Sequence, residues 1–151
     1  MGQIINRTCR FSKVINAPLR FVYDWCTDYR EDDYKITGAK SRRLIIEKTK
    51  QRTVYITQQR GAKTGTAVNI VTLHPPNRWH LDSVGDQRNE IGEYHLKKLS
   101  PRSTRLDMVF KINWKIPPCP TRSEFMRHLN ESWEKYATTL VKDYKSKSQI
   151  H

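Results

Sequence analysis

The sequence predicts an α+β fold in which a curved antiparallel sheet is covered by one long C-terminal helix. Three observations carry this. A strand feeds a helix through Ile15-Asn16-Ala17-Pro18 near the front of the chain. From Ser41 to Ile116 apolar residues alternate at period two, broken by turn chemistry. After Pro120 the apolar residues return to helical spacing.

The elements follow in order. Phe11 to Ile15 reads as extended chain, and Phe21, Val22, Trp25, Cys26 and Tyr29 then recur at helical spacing. Asn16 is placed to accept a backbone N–H as N-cap, with Pro18 near the first helical position, where its missing donor costs nothing. Asp28 to Ile36 predicts an acidic corner and a second short helix, ended by Gly38. Strands are expected over Arg43 to Thr49, Thr53 to Gln59, Thr66 to His74, Trp79 to Val84 and Asn89 to Leu99. Between them, Gly61 to Gly65 reads as a hairpin loop and Pro75-Pro76-Asn77 as a break that no central strand contains.

In the last strand Leu106, Met108, Phe110, Ile112, Trp114 and Ile116 alternate with mainly polar residues, the mark of a half-buried antiparallel strand. Thr121 to Glu124 has the spacing of a capping box. The helix it opens runs to about Lys145, with Phe125, Leu129, Ser132/Trp133, Tyr136, Leu140 and Tyr144 in one stripe. Residues 146–151 are expected to fray. No repeat, low-complexity tract or linker divides the 151 residues, so one domain over 1–151 is expected.

Composition bounds the function. With 36% apolar residues and 10% aromatics the chain is folded and globular, since disordered chains are aromatic-poor. No apolar run approaches the roughly 20 residues of a membrane span. Cys9, Cys26 and Cys119 are odd in number and widely spaced, which fits buried thiols in a cytoplasmic protein better than disulfides or zinc. The net charge is +13, and between Tyr34 and Leu81 ten Lys/Arg face one acid, Glu47. Such a field attracts RNA or an anionic membrane. Arg42, Arg43, Lys48, Lys50 and Arg52 are the residues that would dock there.

This element order, with Ile15-Asn16-Ala17-Pro18 opening a helix that carries Val22 and Trp25, resembles the SRPBCC or START-like superfamily of polyketide cyclases, lipid-transport proteins and birch-pollen-allergen-like proteins. The resemblance spans the whole chain. It implies a helix-grip fold: about seven strands wrapped around the C-terminal helix, two short helices after the first strand, and a hydrophobic cavity between sheet and long helix. It implies no catalytic set, because different branches use different residues.

The walls of such a cavity follow from periodicity. Phe125, Leu129, Trp133, Tyr136 and Leu140 come from the helix, and Met108, Phe110, Ile112 and Trp114 from the last strand. Phe11, Ile15, Trp79 and Leu81 complete the set. Tyr94 and Tyr136 are candidates for orienting a ligand, since a buried phenol needs a partner. His128 borders the cavity, and a polar pair such as Tyr136 with His128 or Asn113 would suit acid–base chemistry. His74, His80, His95 and His128 match no zinc spacing, and the acidic corner Asp28, Glu31, Asp32 and Asp33 lacks a calcium-loop pattern. No metal and no cofactor are expected.

Three functions fit. The first is a binding or carrier protein for a hydrophobic or amphipathic small molecule of the lipid, polyketide or isoprenoid class. The second is an aromatase/cyclase-type enzyme on a polyketide-like substrate. The third is a basic module docking on RNA, a ribosome or an anionic membrane.

Overall fold

The computed structural model describes residues 5–59, 65–117 and 119–148. The expected Gly61 loop therefore lies largely outside the described residues. Seven strands form one antiparallel sheet: β1 (Ile5–Ile15), β2 (Ser41–Lys48), β3 (Arg52–Gln59), β4 (Gly65–His74), β5 (Arg78–Gly85), β6 (Arg88–Ser100) and β7 (Ser103–Trp114). Their spatial order is β1-β7-β6-β5-β4-β3-β2, so β1 and β2 are the two edges. The short helices α1 (Leu19–Thr27) and α2 (Tyr34–Thr37) connect those edges, and α3 (Arg122–Ser148) is the long C-terminal helix.

Consecutive strands from β2 to β7 are neighbours because short turns permit little else. The alternation expected for the last strand is realised in β7, where Leu106, Met108, Phe110, Ile112 and Trp114 are buried in succession. Ile116 falls beyond the strand and is 51% exposed, because the Pro117 break ends the ladder one apolar residue earlier than periodicity predicts. The core also takes Val22 from α1, Val71 and Trp79 from the middle strands, and Leu140 from α3.

Three local expectations change. Pro18, not Asn16, is the N-cap of α1, and no side chain caps it. Val22 N–H donates to the Pro18 carbonyl at 3.0 Å, and the corner is pinned instead by the buried Thr104 hydroxyl donating to the Ala17 carbonyl at 2.8 Å. At the other end, Ser146 to Ser148 are helical rather than frayed, and the rest of the expected tail, 149–151, lies outside the described residues. Thr121 does cap α3, accepting from Glu124 N–H at 3.2 Å, while the Glu124 side chain lies at the rim of the cavity described below. Gly38 closes α2 at φ +72°, a left-handed position that favours glycine, with its N–H on the Tyr34 carbonyl at 2.9 Å.

α1 is clamped to α3 by the Trp25 indole N–H donating to Asp143 at 2.9 Å and by Phe21 against Tyr144, ring centroids 5.1 Å apart. Lys135 of α3 reaches the Thr37 carbonyl of α2 at 3.3 Å. These ties hold the helices above the sheet and leave a space between them.

Candidate functional site: an aromatic cavity with a polar wall

Register fixes what the inner face of the sheet presents. One cross-strand row reads Met108, Tyr94, Trp79 and Leu73 from β7 to β4. The next reads Phe110, Gly92, Leu81, Val71 and Thr53, reaching β3. The third is different: Ile112, Glu90, Ser83, Asn69 and Tyr55. The inner face is thus apolar over two rows and polar along the third.

Above these rows lies a cavity of about 550 Å³. Nine aromatic side chains line it: Trp25 and Tyr29 at α1, Tyr55, Trp79, Tyr94 and Phe110 from the sheet, and Phe125, Trp133 and Tyr136 from α3. Their orientations are locked by each other. Tyr94 stacks on Trp79 with centroids 4.8 Å apart and planes 8° apart, and meets Phe110 edge-on at 5.6 Å. Tyr29 stacks on Tyr55 at 5.4 Å. Gly92 makes room for this, since a Cβ there would stand 3.0 Å from Tyr94 Cε2 and 3.4 Å from Phe110 Cε1.

The charged groups of the cavity are placed as tightly. Arg43 forms an ion pair with Asp33, donates to the Arg30 carbonyl at 3.0 Å, and lies over the rings of Tyr55 and Tyr29 at 4.6 and 5.1 Å. Its Nη1 group is therefore taken up by Asp33 and the Arg30 carbonyl. Glu90 sits with 15% of its side chain exposed, 3.8 Å from Arg88, whose guanidinium lies over the Trp114 ring at 4.9 Å. Burial pushes the Glu90 carboxyl above the ordinary carboxylate range, opposed by Arg88. Burial also raises the Tyr55 phenol to about 12, against the pull of Arg43. Tyr94 is driven up as well, by burial first and then by neighbouring Tyr29 and Glu90. These phenols stay neutral O–H donors. Cys26, also in the wall, is raised by burial and is an unreactive thiol.

Of the thirteen wall residues expected from periodicity, seven line this cavity: Trp79, Leu81, Phe110, Phe125, Leu129, Trp133 and Tyr136. The other six sit elsewhere. Met108, Ile112 and Leu140 are at most 1% exposed within packed core. Phe11, opposite Met108, packs against that core, and Trp114 lies under Arg88. Ile15 is buried beside a separate open groove between β1 and α3. Periodicity gives the face a side chain takes; it does not give the gap between layers.

Tyr94 and His128 both line the cavity, but Asn113 is on the outer face and exposed, since it alternates with Ile112 and Trp114. His95 is half-buried against Asn77, at 3.3 Å. Trp25, Tyr29, Arg43, Tyr55, Arg88 and Glu90 are among the wall residues that sequence reasoning did not assign there.

The basic cluster divides in the same way. Arg43 turns inward to Asp33, and Lys48, past a β-bulge at Ile45/Glu47, turns to Asp28 and the Tyr29 carbonyl. Both hold the acidic corner in place. Arg52 pairs with Glu47 at 2.9 Å, and Arg42 lies over the Tyr34 ring at 3.7 Å.

No family model matches the chain, and no curated protein matches it by sequence. Solved structures do match. The Zhui aromatase/cyclase from Streptomyces sp. R1128 superposes with a TM-score of 0.71 at 12% identity, covering 93% of this chain and 94% of that one. Ara h 8.0201 gives 0.70 at 11% identity over 91% and 99%. A START superfamily protein from Mycobacterium smegmatis gives 0.62 at 15% over 96% and 99%. The fold is the START-like helix grip. Among the described residues no helix of this helix-grip protein is long and apolar enough to cross a membrane, and no cluster of His, Cys, Asp and Glu has metal-binding geometry.

Proposed function

We propose that the chain is a binding or carrier protein for a hydrophobic or amphipathic small molecule of the lipid, polyketide or isoprenoid class, held between the sheet and α3. One observation carries the reading: a cavity of about 550 Å³ walled by nine aromatic side chains, within the size range of small-molecule sites. Aromatic walls with a few fixed polar groups suit a ligand with an apolar body and one polar end. The three free thiols support a reducing, cytoplasmic setting.

Native mass spectrometry of the gently purified protein tests this. A stoichiometric apolar molecule, released on denaturation, is the expected result. An empty protein that also fails to take up a fluorescent apolar probe would sink the reading.

A second reading is favoured by Glu90 with Tyr55 and Tyr94 in the wall: an aromatase/cyclase-type enzyme, using an acid–base group for loss of water or ring closure. Turnover of a poly-β-keto substrate by the purified protein would support it. Docking on RNA or an anionic membrane has less support, because Arg43, Lys48 and Arg52 are engaged by Asp33, Asp28 and Glu47. Arg42 and Lys50 remain for it.

A further inference from the structure

On the sheet side, the polar wall of the cavity sets the hydroxyls of Tyr55 and Tyr94 beside the Glu90 carboxyl. Glu90 occupies the polar cross-strand row between Ile112 of β7 and Ser83 of β5, and its side chain lines the cavity. Tyr55 and Tyr94 both lie within electrostatic reach of it and line the same space. The Trp79 indole N–H is buried, with the Tyr29 phenol as its neighbour but no hydrogen bond of good geometry. The inward cation deep in the wall, Arg43, is paired with Asp33 and packed over two aromatic faces. An anionic head would meet the Glu90 carboxyl, and the deep guanidinium of Arg43 already carries Asp33 as its counter-ion. A hydrocarbon would leave the donors dry, which costs more than the lost contact itself.

We propose that this wall selects a neutral carbonyl oxygen on a planar apolar ligand, with Glu90 in its protonated form donating to that oxygen alongside the tyrosine hydroxyls. This rests on the binding reading above and narrows it from apolar molecules in general to ketones and quinones.

The pH behaviour follows from what faces Glu90. On its own strand are Arg88, at 3.8 Å, and Tyr94; from β3 comes Tyr55. β5 and β7 present the uncharged Ser83 and Ile112. α3 contributes Glu124, Arg127 and His128 to the same cavity, all exposed, and the α1–α2 corner adds Tyr29, exposed Arg30 and the Arg43-bound Asp33. Among these, Arg88 favours the ionised carboxylate, while burial favours the protonated acid and prevails. Carbonyl binding is then full while Glu90 is protonated and weakens as pH rises through its raised pKa.

The test is equilibrium dialysis of the full chain against two tricyclic probes of one shape, 9,10-anthraquinone and anthracene, across pH. The quinone is expected to bind at least about tenfold tighter, because a site built to donate rejects the analogue without an acceptor. Glu90→Gln, whose amide donates at every pH, should keep that preference and lose its pH dependence. Glu90→Leu should bind both probes alike; its circular dichroism and melting curve confirm folding. Equal affinity of the wild type for the two probes overturns the carbonyl inference and leaves the cavity reading standing. So does a preference with the same pH profile in Glu90→Gln as in the wild type. Failure to bind either probe overturns the cavity reading and this inference with it.

Discussion

The two faces of the sheet use apolar residues in opposite ways. The inner face carries large aromatics, such as Trp79, 1% exposed, and Phe110, 3% exposed. The outer face carries a straight aliphatic row across four strands, Leu44, Ile56, Val68 and Val84, in register from β2 to β5. Leu44, Val68 and Val84 are 55%, 45% and 60% exposed. Aromatic rings inside contribute by burial and by holding one another's planes. β-branched side chains outside contribute by fitting the pleat and pairing across strands, with little burial. A residue's apolar character alone therefore says little about what it stabilises; its face decides.

The largest expected effect breaks that symmetry directly. Trp79→Ala removes the partner on which Tyr94 stacks and the edge contact to Tyr23 at 5.8 Å, and opens a void in the wall. A loss of about 3–5 kcal/mol is expected from urea unfolding. Val68→Thr on the outer row keeps the branched shape and should change stability by less than about 1 kcal/mol. Comparable losses for the two would mean the outer row is covered in solution.

The fold was legible because period two and period 3.6 survive in this chain with few breaks, as in β7, where five inward residues alternate without error. The site was legible only in part. Its aromatics announce themselves, yet Glu90 looks like any strand carboxylate until the alternation Glu90, Gly92, Tyr94, Leu96 is followed inward. Arg43 was hidden by its company. In a run of cations, charge suggests one shared surface, but adjacent strand residues point to opposite faces, so Arg42 and Arg43 never shared one. The cavity's depth had no sequence signal, because it depends on how far α1 and α3 are held above the sheet.

That neighbouring pair sharpens the comparison at intermediate magnitude. Arg43→Ala removes the more buried of the two cations on Asp33, leaving Arg30 at 3.6 Å, and strips the Tyr29–Tyr55 stack of its cover, so a cost of about 1.5–3 kcal/mol is expected. Arg42→Ala loses an exposed contact with Tyr34 and should cost less than about 1 kcal/mol. Measured in parallel melts, a larger loss for Arg42 than for Arg43 would contradict the assignment of faces.

The smallest effect belongs to the outer face and reads its electrostatics. His80 lies between Asp82, at 3.0 Å, and Glu93. Partial burial alone would lower its pKa, but the hydrogen bonds its ring donates to the Glu93 and Asp82 carboxylates outweigh this and raise it above the ordinary imidazole value of about 6.5. A raised folded pKa means the native state holds the proton more tightly than the unfolded chain. The stabilisation is then complete below the unfolded value and is lost as pH rises through the folded one. The stability difference between the wild type and His80→Gln should accordingly be greatest below about pH 6.5 and fade above it. Because the three side chains are partly in water, the amplitude should also shrink with added salt. The inner face should behave oppositely: burial raises the Glu90 pKa with only Arg88 in opposition, so its titration should respond weakly to salt. A difference for His80→Gln that grew with pH, or ignored salt, would show that the two faces do not differ in solvation as their burial implies.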